Sequence, residues 1–157
     1  MKYFFIVAAF TTTLAQVGSY LINRHIAIGE TVELNSVLFL THVRNHGGIF
    51  GIMQGYGWIF TTIIGFILLY LVYFIYLQKN LRVLEYICFG FILGGGLSNF
   101  LDRFIYGSVI DFINVQHIPY WKYIFNTADT FIHIGVWPMV LIKFYDYRLE
   151  KQSIQSS

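Results

Sequence analysis

The chain has 157 residues, of which 57% are hydrophobic and only 11% are charged. Ten Lys and Arg residues nearly balance eight Asp and Glu residues, and the net charge of +2 gives no sign of nucleic-acid binding. The single cysteine, Cys88, excludes a disulfide framework and a cysteine-based zinc site. The length suits one domain, and the apolar content is far from that of an ordinary soluble domain.

Four apolar segments have about the length that a membrane helix needs, roughly 20 residues. We place these spans at about residues 3–22, 57–77, 83–101 and 128–145, within a single domain of residues 1–157. The second, GWIFTTIIGFILLYLVYFIYL, has no charge and no polar stripe, which excludes an amphipathic helix of a soluble bundle. The first has the apolar run of a cleaved signal peptide, but its length and the three later spans favour an uncleaved helix.

The distribution of cations predicts the orientation in the membrane. With the amino terminus in the cytoplasm, six cations lie inside and four outside, which favours cytoplasmic termini and an inner turn at residues 78–82. The inner six are Lys2, Lys79, Arg82, Lys143, Arg148 and Lys151, and the outer four are Arg24, Arg44, Arg103 and Lys122.

The two outer segments differ from the spans in composition. Residues 23–56 contain TVELNSVLFLTHV, whose β-branched and aromatic residues predict one or two short strands. Glycines at positions 47, 48, 51, 55 and 57 then indicate turns or close backbone contacts. Residues 102–128 are mixed and carry aromatic residues that suit the level of the lipid headgroups. We therefore expect four helices with a small outer cap lying on the membrane.

Polar residues gather at the outer ends of the predicted spans. Asn99 and Arg103 are four residues apart, and Asn126 and Asp129 are three apart, so each pair shares a face if helical. The third and fourth helices can each offer an amide and a charged group to one cleft. The whole outer set is Arg44, Asn45, Asn99, Asp102, Arg103, Asp111, Asn126 and Asp129.

Two of these acids, Asp111 and Asp129, suggest a chemistry if the fold brings them together. Two carboxylates near a low-dielectric boundary do not both ionise easily, so they share one proton. One can then take a proton from water while the other donates to a carbonyl oxygen or a leaving amine. This is aspartic-protease chemistry, which needs no metal and no cofactor.

Structural interpretations of the same residues remain open. A single aspartate at the end of a span usually caps a helix, and the asparagines can cap helices as well. Asp102 beside Arg103 most simply reads as an ion pair. Several ionisable groups at one depth in a membrane protein are nevertheless candidates for function.

Three sequence blocks make the chain resemble the lipoprotein signal peptidase family, signal peptidase II. They are VRNHGGIFG at residues 43–51, GGGLSNFLDRFIYGSVIDF at residues 94–112, and FNTAD at residues 125–129. Each block alone is weak, but their order and spacing together are specific, and the resemblance extends over nearly the whole chain.

The resemblance implies a fold, an activity and a set of site residues. The fold is an all-α membrane protein of four transmembrane helices with a small extracytoplasmic β-cradle, in the inner (cytoplasmic) membrane of a bacterium. The activity is intramembrane cleavage of signal peptides from diacylglyceryl-modified prolipoproteins by an aspartic endopeptidase near the outer face. By position, Asp111 and Asp129 resemble the catalytic pair. The supporting or substrate-binding residues are Asn99, Arg103, Asn126, Asn45 and Gly47.

The implied partners are lipidated prolipoprotein signal peptides, membrane lipids and a globomycin-like cyclic inhibitor, with no nucleic acid and a monomeric enzyme. In its first span the family has Asp–Gln–x–x–Lys, where this chain has Ala15, Gln16 and Ser19. The lost charge pair motivates a second hypothesis, a weak or inactive relative that binds lipoprotein precursors or alters the inhibitor response. A small transporter using the same acids is a third, although the inverted repeat expected of many transporters is absent.

Overall fold

A computed structural model of the protein describes residues 1–48 and 55–155. The fold is mostly helical with a small antiparallel sheet, which confirms the predicted class in part, because the fourth predicted span is not among the described helices that are long and apolar enough to cross a membrane. In chain order its elements are α1 (Lys2–His25), β1 (Thr31–Glu33), β2 (Leu38–Asn45), α2 (Gly57–Leu77), α3 (Val83–Tyr106), β3 (Val109–Val115), β4 (Ile124–Phe125) and α4 (Thr127–Gln155).

Three helices, α1, α2 and α3, are long and apolar enough to cross a membrane. α2 shows this most clearly, because only Leu68 and Ile75 are buried among its 21 residues. A soluble protein rarely exposes such a continuous apolar surface, whereas a helix facing lipid does so without cost. Large exposed side chains of α2 include Trp58, Phe66, Leu69, Tyr70 and Tyr76.

α3 lies at the centre of the bundle, and its glycines allow its neighbours to approach closely. A Cβ on Gly94 would meet the Thr11 hydroxyl and the backbone of Ala8 in α1. On another face of the helix, a Cβ on Gly95 would meet the carbonyl of Ala128 in α4. Small residues at such contacts let helix backbones pack directly in membranes. α3 therefore holds α1 and α4 in fixed positions relative to the residues near its C-terminal end.

At the opposite end, ion pairs join α3 to α4. Glu85 in the first turn of α3 is buried and forms ion pairs with Lys143 of α4 and with Arg82. Arg82 also forms a bidentate contact with Asp146 of α4. These charges stabilise the contact between α3 and α4 about a full helix length from the polar residues at the C-terminal end of α3.

The sheet has the strand order β1-β2-β3-β4, and every neighbouring pair is antiparallel. The one or two short strands predicted in residues 23–56 are present as β1 and β2. The sequence analysis missed β3 and β4, since it treated residues 102–128 only as a mixed segment. The predicted turn at Gly51 lies outside the described residues.

A glycine turn directs the chain from α3 back into the sheet. Gly107 has φ of +71°, and its N–H donates to the carbonyl of Arg103 at 3.1 Å. A left-handed residue at this position is the usual end of a helix, and glycine adopts it without a steric penalty. Strand β3 therefore starts two residues later and runs beside the outer end of α3.

Candidate active site

Strand β3 positions Asp111 on one face of the sheet. The neighbouring Ile110 is fully buried and packs with Phe112 and with Ile22 and Ile26 of α1. Because neighbouring residues on a strand point to opposite faces, the burial of Ile110 turns Asp111 to the other side. Asp111 is itself only 6% exposed.

The start of α4 positions Asp129 through a reciprocal cap. The Asn126 side chain accepts the N–H of Asp129 at 2.9 Å, and the Asp129 side chain accepts the N–H of Asn126 at 3.3 Å. This is the arrangement of a capping box, with Asn at the cap and Asp three residues later. Asn126 therefore does cap a helix, as the structural interpretation held. It lies at the cap, not on a helical face shared with Asp129.

The same asparagine also joins the two acids. Its Nδ2 donates to Asp111 Oδ1 at 2.8 Å and to Asn99 Oδ1 at 3.1 Å. Asn99 Nδ2 in turn donates to Asp129 Oδ1 at 2.8 Å. Asn126 is 1% exposed, so this network is shielded from solvent and its geometry is well determined by its partners. The structure thus brings together Asp111, Asp129, Asn99 and Asn126.

Strand β2 and its extension close the site from the sheet side. Asn45 Nδ2 donates to Asp111 Oδ2 at 3.0 Å, so both oxygens of Asp111 accept an amide. Asn45 Oδ1 accepts the N–H of Gly47 at 3.0 Å, and the Gly47 carbonyl accepts Arg103 Nη2 at 2.9 Å. Arg103 also donates to the Asn99 carbonyl at 3.1 Å. All seven predicted site residues are therefore linked by hydrogen bonds, while residues 49–51 of the first family block lie outside the described chain.

The surroundings of Asp111 favour its protonated form. Burial raises the pKa of Asp111 to about 7, and the charge of Asp129 acts in the same direction. The amides of Asn45 and Asn126 and the charge of Arg103 oppose this rise in pKa but do not cancel it. A carboxyl group that titrates near neutral pH can hold or release a proton under physiological conditions.

The expectation that Asp102 forms an ion pair with Arg103 is wrong. Asp102 is 1% exposed, and its oxygens accept from Gln16, Ser19 and the N–H of Ile110. Arg103 points toward Gly47 and the carbonyl of Asn99 instead. Adjacent residues of a helix do not face each other, so the two side chains leave α3 in different directions.

Sequence reasoning also missed the roles of Gln16 and Ser19. It treated them only as remnants of a family motif in the first span. Their spacing of three residues could have indicated a shared polar face on α1. That face is the one that meets Asp102.

Comparison with known proteins finds similar sequences over nearly the whole chain. The sequence model of the family described as "Signal peptidase (SPase) II" matches residues 7–145. A lipoprotein signal peptidase of Halalkalibacterium halodurans is 38% identical over 151 residues, covering 95% of this chain and 96% of the relative. One of Bacillus velezensis is 31% identical over 150 residues, covering 95% and 98%.

Two solved structures of bacterial membrane enzymes have the same fold. The first has a TM-score of 0.85 and 31% identity, and it covers 94% of this chain and 90% of the solved chain. The second has a TM-score of 0.80 and 31% identity, with coverage of 90% and 92%. Sequence and structure agree over nearly the full length, and the chain belongs to the signal peptidase II family of membrane proteases.

Proposed function

We propose that this protein removes signal peptides from diacylglyceryl-modified prolipoproteins, and that it does so as an aspartic endopeptidase. The single observation that carries the aspartic mechanism is the network in which Asn126 and Asn99 join Asp111 to Asp129. Family membership supports the peptidase activity, and the relatives named above are lipoprotein signal peptidases.

In the proposed reaction one carboxyl group of the pair is ionised and the other is protonated. The ionised group takes a proton from water as the water oxygen bonds to the scissile carbonyl carbon. The protonated group donates its proton to the carbonyl oxygen. The tetrahedral intermediate then loses its C–N bond, and the leaving amine takes a proton from the acid that received it from water. The other carboxylate takes back a proton from one hydroxyl of the intermediate, so the new carboxylic acid is released and the pair again holds one proton.

The neighbouring amides support this chemistry by fixing both acids. Asn45 and Asn126 each donate to Asp111, and Asn99 donates to Asp129, so neither acid has to reorganise during the reaction. We assign Arg103 and Gly47 to positioning the outer cap against α3, because their hydrogen bond joins these two parts of the chain.

For the membrane architecture we propose one domain with four spans, in which α4 is the fourth. Both termini lie in the cytoplasm and the acids lie near the outer face. The six-to-four distribution of cations supports this orientation. The lipidated precursor then reaches the site laterally with its lipid tails in the bilayer. We also propose that the enzyme works as a monomer and binds globomycin-like cyclic peptides at the same cleft.

The hypothesis of an inactive binding protein is not favoured. A protein that only holds precursors has no evident need for two acids joined in one hydrogen-bonded network, and the amides of Asn45, Asn99 and Asn126 all bind this pair. Membership of a peptidase family likewise leaves the transporter hypothesis without support.

Replacing either acid tests the proposed mechanism directly. We expect Asp111→Asn and Asp129→Asn each to lower the cleavage rate of a lipidated precursor by about 10²- to 10⁴-fold, since each removes one proton-transfer partner. Release of the signal peptide is followed by gel with purified protein in detergent. Asp146→Asn, which removes a carboxylate at the other end of α4, is the matched control and retains activity. Cleavage that survives both substitutions at the pair would refute the assignment.

The pKa of Asp111 predicts a dependence on pH. An aspartate whose pKa is raised on folding binds more protons in the folded state, so its contribution to stability is full below about pH 4 and is lost as the pH rises through about 7. Its size is at most a few kcal/mol. We expect thermal melting to show this loss in the unsubstituted protein and not in Asp111→Asn. Equal pH dependence in both proteins would contradict the raised pKa.

Cysteine labelling tests the orientation. Ile118 is exposed in the turn between β3 and β4, and Ser153 is exposed near the end of α4, whereas the native Cys88 is buried. We expect a membrane-impermeant maleimide to label Ile118→Cys in intact spheroplasts, and to label Ser153→Cys only after the membrane is opened. Labelling of both positions from the same side would exclude α4 as a span.

A further inference from the structure

A buried carboxyl group that does not belong to the pair of acids lies beside it. Asp102 is in the last turns of α3 and is 1% exposed. Its Oδ1 accepts Gln16 Nε2 at 2.7 Å, and its Oδ2 accepts Ser19 Oγ at 3.0 Å and the N–H of Ile110 at 3.2 Å. Asp102 thus connects α1, α3 and β3 through one side chain.

This carboxylate is held by neutral donors. Within the described ranges 1–48 and 55–155, no Lys, Arg or His forms a salt bridge with Asp102. A carboxylate removed from water is costly unless its oxygens are hydrogen-bonded, so these three donors stabilise Asp102 in its buried position. Gln16 is in turn fixed, because its Nε2 also contacts the carbonyl and the hydroxyl of Ser98 at 3.0 Å each.

The hydrogen bond from Ile110 brings this connection next to the catalytic pair. Ile110 directly precedes Asp111 in β3, and its own side chain is fully buried. The position and rotation of the strand at Ile110 determine where the Asp111 side chain projects, because consecutive side chains alternate between faces. A shift of about 1 Å at a reacting group can lower a rate by about 100-fold.

We propose that Asp102 is a positioning residue for Asp111, which acts through the N–H of Ile110 and is itself held by Gln16 and Ser19 of α1. The first helix, which contributes no side chain to the pair, thereby takes part in placing one of its acids. The predicted effect of Asp102 on the cleavage rate rests on the proposed function. Its predicted effect on the position of Asp111 does not.

The chain offers a matched control for general loss of stability. Glu85 is also a buried carboxylate on α3, seventeen residues earlier and about 25 Å away at the rise of an α-helix. It contacts Lys143 and Arg82 and none of the residues around Asp111. Glu85→Gln therefore disturbs the bundle without disturbing β3.

The experiment compares Asp102→Asn, Ser19→Ala and Glu85→Gln in the full-length protein in detergent. Two quantities are measured: kcat and KM for a lipidated precursor, and the titration of Asp111 by carbon-13 NMR of its carboxyl group, assigned from Asp111→Asn. Ser19→Ala changes no charge. Any change that it causes in the apparent pKa of Asp111 therefore reflects a change in the position of the Asp111 side chain. The NMR titration can be measured even if the protein does not cleave this precursor. Failure of the proposed function can therefore be distinguished from failure of the positioning role of Asp102.

We expect Asp102→Asn to lower kcat by about 10- to 100-fold with KM changed less than about twofold. We expect Ser19→Ala to lower kcat less and to raise the apparent pKa of Asp111, because the amides of Asn45 and Asn126 then contact it less well. Glu85→Gln lowers the melting temperature and leaves the titration unchanged.

Two results would overturn the proposal. The first is an unchanged Asp111 titration in folded Ser19→Ala together with an unchanged kcat in Asp102→Asn. The second is an equal change in Glu85→Gln, which would show a general response to lost stability. If Asp102→Asn does not fold, kcat and the Asp111 titration of Ser19→Ala alone test the proposal, and no change in either would overturn it.

Discussion

The carboxamide of Asn126 constrains the whole site, because it contacts groups from three different elements. It caps α4 through the N–H of Asp129, donates to Asp111 of β3, and donates to Asn99 of α3. An amide has two donors and one acceptor oxygen, and here each is used by a specific partner. Because the group is buried, a shift of any one element would leave a polar atom unsatisfied, at a cost of about 1–3 kcal/mol.

The rest of the fold keeps those three elements at the right distance. Gly94 and Gly95 let α3 pack directly on α1 and α4, and Gly107 turns the chain so that β3 runs back beside α3. The ion pairs of Glu85 hold the far ends of α3 and α4 together. The site therefore lies on elements that are fixed at both ends, and this rigidity suits the proposed reaction, in which water is placed between two acids.

The sequence predicted much of this arrangement because membrane spans and acids in apolar surroundings give strong local signals. The uncharged run of α2 and the two acids at the outer ends of the spans were sufficient to propose an acid pair. The spacing of Asn126 and Asp129 could have shown the cap, because Asn–x–x–Asp is close to a capping box. The partners of Asp102 could not be predicted, since its neighbour Arg103 suggested an ion pair, and only the packing of α1 on α3 shows otherwise. Strand β4 has two residues, too few to give a periodic pattern.

In the proposed mechanism the two acids activate water and form no bond to the substrate. A single turnover in water enriched in oxygen-18, with enzyme in excess over a lipidated precursor, distinguishes this from covalent catalysis by mass spectrometry of the released signal peptide. We expect one oxygen-18 atom in the new carboxyl group of every peptide in this first turnover. Release of unlabelled peptide in the first turnover, with the label in Asp111 or Asp129, would show attack by a carboxylate and would refute the mechanism.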